Sequence, residues 1–430
     1  MPCLARWLVL LTLLSHSAAQ ENVGIGLDLS VGVEGVLPSL ARPANASRIF
    51  HGIVFDAGST GTRIHVYTFI QKDPAELPLL EKETFQSVKP GLSAYADTPE
   101  TAGETVRQLL RVAKKAVPHV EWERTPVVLR ATAGLRLLPP KKAQALLDEV
   151  EVAFEESPFF VPDNSVHIMN GTDEGILAWV TVNFLTGQLQ AKTKKTVGTL
   201  DLGGASTQIT FLPKFKKTIE SAPPDHIARF DLLSTTYELY THSYLGNGIK
   251  AARLTALGAL GAEGLERKVF ESSCLSRKFR EDWSFGGLTY KISGIPDGST
   301  GFTECYKEML KVVKGVIHQP PELQDSNTFY AFSYYFDIAV EAGLIDERRG
   351  GMVKVQDYSI RAKEVCNKLS MYLATKPFLC MDITYITCLL KDGFGFKDET
   401  ILKLTQKVNN VETSWALGAI FDYFQNIKIH

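Results

Sequence analysis

Two aspartates are placed for chemistry by the residues after them. Asp56 ends an apolar run in IVFDAGSTGTRIHVYTF, residues 53–69, and Asp201 ends another in VGTLDLGGASTQITF, residues 197–211. Each is followed by glycines and hydroxyls, and then by an alternating β-type run. Glycine lets several backbone N–H groups close on an anion. Ser59, Thr60, Ser206 and Thr207 add hydroxyl donors. A carboxylate repels phosphate, but it holds the hydrated Mg²⁺ or Ca²⁺ that accompanies phosphate. Two such turns suit a polyphosphate and its metal, gripped from both sides. The competing reading is a pair of ordinary glycine hairpins. A matched order of strand, Asp, glycine turn and hydroxyls in both copies speaks for duplication instead.

Two more stretches fit the same cleft. VVLRATAGLRLLP, residues 127–139, runs from a strand into Thr132, Ala133 and Gly134, a third small-residue turn. MNGTDEGILAWVTVNFLTG, residues 169–187, reads as a helix with Thr172 as N-cap. Its apolar face would carry Ile176, Leu177, Val180 and Phe184, and Gly187 would stop it. Glu174 falls in the first turn, where spacing alone reads as an acid complementing the helix dipole.

The elements needed to position these residues alternate along the chain. Strands are predicted at 53–55, 64–69, 127–130 and 166–169, and helices at 101–117, 141–156 and 174–185. From Val197 the plan restarts with two strands, followed by helices at 234–245, 248–260, 303–316, 331–342, 360–373, 383–390 and 414–426. Mixed elements in two similar halves indicate an α/β protein with a cleft between domains.

The chain has 430 residues, 45% hydrophobic and 22% charged, enough apolar material for two or three domains. A net charge of −2 excludes a global field for nucleic acid. The start reads as a secretory signal over residues 1–19, with Arg6, an apolar run from Trp7 to Leu14, and Ser17 and Ala19 before the cut. That run is too short to span a bilayer, which takes about 20 apolar residues. Residues 20–47 form an irregular leader, and Asn45 begins a glycosylation acceptor. Five cysteines follow the signal. Sequence neighbours pair Cys274 with Cys305 and Cys366 with Cys380, although spacing alone fixes no connectivity. Cys388 is then a buried, inert thiol.

In chain order, DAGSTGTR (56–63), KPGLSAY (89–95), ATAGLRLL (131–138), DEGILAWVTVNFL (173–185), DLGGASTQ (201–208) and WALG (415–418) follow the apyrase motifs. From about Ile53 onward the sequence resembles the ectonucleoside triphosphate diphosphohydrolases. The resemblance implies two RNase-H-like domains of the actin–hexokinase superfamily, 48–196 and 197–430, with the active-site cleft between them. The C-terminal helix would pack back on the first domain. Glu174 would be the general base, with Ser206 and Gln208 orienting the attacking water. Asp56 and Asp201 would hold Mg²⁺ or Ca²⁺ through its waters, and Trp415 would line that shell. Ser59, Thr60, Thr132, Gly203, Gly204 and Ala205 would bind phosphates.

Tyr334, Tyr335, Phe336 and Phe394 are the candidates for the nucleobase, although aromatics at such spacing are more often core. The stretch FYAFSYYFD (329–337) and the absence of flanking membrane helices are similar to the soluble members. Those members imply hydrolysis of UDP, GDP and IDP in the endoplasmic reticulum lumen or after secretion, supporting glycoprotein reglucosylation. No later apolar run is long enough to span a bilayer, so the mature chain is expected to have no membrane anchor, and a monomer is expected. A sugar kinase and a nucleotide-gated binding module of the same fold are the alternatives. A second acceptor at Asn170 lies close to Glu174, and we expect it to be unmodified.

Overall fold

A computed structural model describes residues 48–73, 76–189, 195–232, 235–324, 328–425 and 428–429. The signal, the leader and Asn45 lie outside the described residues.

The first half is built on a five-stranded sheet. Its strands are β1 (Arg48–Ala57), β2 (Thr62–Gln71), β3 (Leu79–Val88), β4 (Val127–Ala131) and β5 (Val166–Ile168), in the order β3-β2-β1-β4-β5. β1 to β3 are antiparallel neighbours, and β4 and β5 run parallel to β1. Helices Pro99–Ala116 and Pro140–Glu155 cover one face. In the first of these Ala102, Val106, Leu109 and Ala113 recur at helical spacing and are fully buried.

The second half repeats this plan within a larger sheet. β6 (Gly198–Leu202), β7 (Ser206–Phe211), β8 (Ile227–Leu232) and β9 (Thr235–Leu245) come first. β10 (Val269–Ser272), β11 (Arg280–Phe285) and β12 (Leu288–Gly294) form a separate small sheet. β13 (Phe329–Ser333), β14 (Gly351–Lys354) and β15 (Ile401–Leu404) return to the main one. β16 (Lys407–Val408) and β17 (Val411–Glu412) make a hairpin, and β18 (Lys428–Ile429) joins the main sheet's edge. The main order is β14-β15-β13-β6-β7-β9-β8-β18. Its inner five strands, β9-β7-β6-β13-β15, match the first sheet in order and direction. The duplication seen at the aspartates therefore extends to whole domains of RNase-H-like type.

Two helices lie between the sheets. Helix Gly171–Leu185 closes the first half in sequence, yet it packs on β6, β7 and β9 of the second. The C-terminal helix Ala416–Gln425 packs on it and on β1. The two helices, β1 and β9 share one apolar cluster. Helix Gly171–Leu185 is accordingly buried all round, not on the single face that its sequence suggested. Trp179 is fully buried, with edge contacts to Phe230 and Tyr237 at ring separations of 5.9 and 5.4 Å. Truncating such a side chain to Ala costs about 3–5 kcal/mol.

Two local expectations are corrected. Residues 235–245 form β9 and not a helix, because TTYELYTHSYL is rich in β-branched and aromatic residues and pairs with both β7 and β8. The N-cap of helix Gly171–Leu185 is Asn170 and not Thr172. Its Oδ1 accepts from Asp173 N at 2.8 Å and its Nδ2 donates to the Asp173 carboxylate at 2.6 Å. The disulfides are Cys274–Cys305 and Cys366–Cys380, and Cys388 is a buried free thiol.

Candidate active site

β1 and β6 hold equivalent places at the centres of their sheets, and their ends carry Asp56 and Asp201 into one shared cleft of about 320 Å³. Ser59 and Thr60 from the first turn and Gly203 and Gly204 from the second line it as well. Thr132, Glu174, Tyr334 and Trp415 complete this part of the wall. The turns meet closely. A Cβ on Gly204 would lie 2.5 Å from both Ser59 Oγ and Thr60 Cγ2. One on Gly134 would lie 2.7 Å from Ser59 Cα, so the third turn closes on the first as well. Only residues without side chains permit this approach.

Glu174 reaches the cleft because Asn170 starts its helix there. It forms an ion pair with Arg136, which follows the third turn. Asp56 takes a hydrogen bond from Arg63 Nη1 at 2.8 Å through Oδ2, while its buried Oδ1 has no protein partner. Ser206 and Gln208 lie buried behind the second turn on β7. Gln208 Nε2 donates to Ser206 Oγ and to Ser243 Oγ of β9, each at 2.8 Å. Ala205 is buried in the adjoining core, and its carbonyl accepts from Gly246 N at 2.8 Å.

Of the aromatic candidates, Tyr334 and Phe336 line the cleft. Burial raises the pKa of Tyr334, and Thr60 of the first half opposes that rise. Tyr335 and Phe394 are fully buried in the core of the second half and do not reach the cleft. Helix Tyr334–Glu341 begins at Tyr334. Successive helical residues point about 100° apart, so one of the two tyrosines faces out and the next faces in.

Sequence reasoning assigned nothing to Arg63, Arg136 or Ser333. Arg63 had a signal, since the first hairpin's register sets it directly opposite Asp56. Arg136 had only its nearness to Thr132. Ser333 had none. It ends β13 with φ 56°, a strained value for a serine, and its side chain opposes the burial-driven rise of the Asp201 pKa.

The electrostatics are those of crowded, buried acids. Burial raises the Glu174 pKa to about 8, against the opposing charge of Arg136, and Asp201 and Asp56 push it the same way as burial. Burial raises Asp201 to about 6, with the Ser333 hydrogen bond opposing and Asp56 reinforcing. The cleft wall carries Asp56, Glu174, Asp201, Asp337 and Glu412 against Arg63 and Lys89. An excess of carboxylates over cationic groups attracts cations and repels a bare polyphosphate.

A pattern for the GDA1/CD39 (nucleoside phosphatase) family matches residues 43–430, and the chain belongs to that family. It is 58% identical to the nucleoside diphosphate phosphatase ENTPD5 of Homo sapiens over 92% of each chain. It is 58% identical to ectonucleoside triphosphate diphosphohydrolase 5 of Gallus gallus, again over 92% of each chain. Ectonucleoside triphosphate diphosphohydrolase 6 of Mus musculus is 49% identical, over 96% of this chain and 90% of its own. The fold matches a crystal structure of nucleoside triphosphate hydrolases from Neospora caninum with a TM-score of 0.59. That match has 13% identity and covers 92% of this chain and 96% of the other. No helix among the described residues is long and apolar enough to cross a membrane.

Proposed function

We propose that this protein hydrolyses nucleoside diphosphates such as UDP, GDP and IDP to the monophosphate and orthophosphate, with Mg²⁺ or Ca²⁺ bound in the cleft. The observation that carries the reading is the meeting of three small-residue turns beside a buried glutamate. That arrangement holds phosphates where a base stands next to them.

The donor set fits a hydrated divalent cation. Asp56 Oδ1 is buried without a protein partner, Asp201 faces the same space, and carboxylates outnumber cationic groups on the wall. Asp56 and Asp201 would hold the ion through its waters, with Trp415 beside that shell. When bound, the ion would offset the charge of the phosphates.

Ser59, Thr60, Thr132, Gly203, Gly204 and Ala205 bind the diphosphate in this reading. Glu174 takes a proton from water as that water attacks the terminal phosphorus in line. Such a base contributes about 10²–10⁴-fold. Ser206 and Gln208 orient the water, and Ser243 holds the Gln208 amide in place. Arg136 opposes the burial-driven rise of the Glu174 pKa, favouring the carboxylate, and aims it. Tyr334 and Phe336 offer flat surfaces for the base.

The two disulfides and the N-terminal signal sequence support action in the secretory pathway lumen. There UDP left by glucosyl transfer to glycoproteins would be the natural substrate. The test is phosphate release from a nucleotide panel with no acceptor present, with added cation or with chelator. Release from UDP and GDP that chelator abolishes supports the reading. A kinase would release no orthophosphate and would instead form a sugar phosphate once a sugar is added, and a binding module would turn over slowly whatever cation is supplied.

A further inference from the structure

The second half carries a cluster of nitrogen and oxygen ligands that the cleft does not use. Asp225 and His226 precede β8, and His242 lies on β9. One ligand atom from each lies within 4.8 Å of the other two. The His226 and His242 rings stack at 3.7 Å and 8°. Their Nδ1 atoms both turn toward one carboxylate, His226 to Asp225 Oδ1 at 3.0 Å and His242 to Oδ2 at 3.7 Å.

We propose that Asp225, His226 and His242 form a second metal site, selective for Zn²⁺ and similar cations, separate from the nucleotide cleft.

Two imidazole nitrogens and one carboxylate oxygen are the donor set of Zn²⁺, which takes His and Asp at about 2.0–2.2 Å. Hard Mg²⁺ and Ca²⁺ prefer oxygen throughout, so they compete poorly here. The outer contacts also suit a ligand. His226 Nε2 lies 3.2 Å from the Tyr244 hydroxyl, which orients the ring so that Nδ1 meets Asp225.

The cluster borders a crevice of about 590 Å³ through which an ion can enter, and His318 lines the same crevice. The His318 ring lies 5.3 Å from that of His226, and its Nδ1 is engaged by the Tyr240 hydroxyl at 2.7 Å. Water takes the remaining coordination position. Among the described residues one other group brings three ligand-type side chains this close together, Cys305, Cys366 and Cys380, and disulfide bonds use up those sulfurs.

The site also sits on a strand that serves the cleft. His242 and Tyr244 line the crevice from β9, and Ser243 between them accepts from Gln208.

The test uses the full chain without an affinity tag, titrated with Co²⁺ in excess Mg²⁺, which keeps the cleft filled. The expected result is one Co²⁺ per chain with the intense visible absorption of a low-coordinate nitrogen-ligated ion, bleached by Zn²⁺. Asp225→Asn changes a side chain that is 70% exposed and should leave the fold intact. It and His242→Ala should each weaken Co²⁺ binding by about tenfold or more, with the thermal melt and the phosphate release from UDP retained. The proposal is overturned if no Co²⁺ binds in excess Mg²⁺, or if both variants bind it as tightly as the wild type.

Discussion

Arg63 Nη1 and Asp56 Oδ2 meet at 2.8 Å across the first hairpin, which leaves Asp56 Oδ1 buried and free on the cleft side. One carboxylate oxygen is thus held by the protein and the other is available to the water shell of a cation. Asp56→Asn keeps the size of the side chain but removes the charge. The Mg²⁺ concentration giving half-maximal UDP hydrolysis should rise by about 10–100-fold, with the thermal melt little changed. An unaltered Mg²⁺ titration would separate Asp56 from cation binding.

Replacing the base should affect chemistry more than binding. Glu174→Gln should lower kcat by about 10²–10⁴-fold while the protein stays folded by circular dichroism. A variant with near-full turnover would take Glu174 out of its assigned role.

Glu174 also predicts a pH effect on stability. Its folded pKa is about 8, against 4.5 for an ordinary glutamate. Between those values the folded state holds more protons than the unfolded state, so the metal-free protein loses stability as pH rises through that window. Asp201, raised to about 6, adds to the slope at its lower end. Melting wild type and Glu174→Gln across the window isolates the glutamate, and the variant should show the shallower decline. Identical slopes would contradict the shift.

Arg136 is the positive group paired with Glu174, and it lowers the pKa of that carboxyl. Arg136→Gln removes this counter-charge. The acid limb of the kcat/KM profile should then move to higher pH, and activity at alkaline pH should partly recover. A uniform loss at every pH would indicate a role confined to folding.

Gly204 tests the meeting of the turns directly. In Gly204→Ala the new methyl would press on Ser59 Oγ and Thr60 Cγ2, which are side-chain atoms able to give way by moving the turns apart. Turnover should fall at least tenfold, while the denaturant midpoint moves far less than for a core truncation such as Trp179→Ala. Full activity in Gly204→Ala would mean that the turns need not be this close.

Local chemistry made much of this site legible in the sequence. Glycine, hydroxyl and aspartate in sequence mark a turn whose donors suit an anion, because nearby backbone and side-chain groups supply them. The repetition of that unit pointed to a doubled fold, and the five-strand order shared by the two sheets bears it out. Cysteine neighbours also paired as expected. Ser333 and Arg136, by contrast, acquire partners only when distant strands and turns converge, and short-range spacing records none of that.

Burial likewise belongs to the tertiary structure. Helix Gly171–Leu185 is enclosed on all sides because it leaves its own half and lies between the two sheets. Tyr334 faces the cleft and Tyr335 the core through a single helical step. Residues 235–245 became a strand because two neighbouring strands lacked a partner between them. By itself the sequence determined which residues could grip phosphate and that they came in two sets. Only the packing of the halves decided which acids share one space and how far burial shifts their charge, since those effects depend on distances between segments remote in the chain.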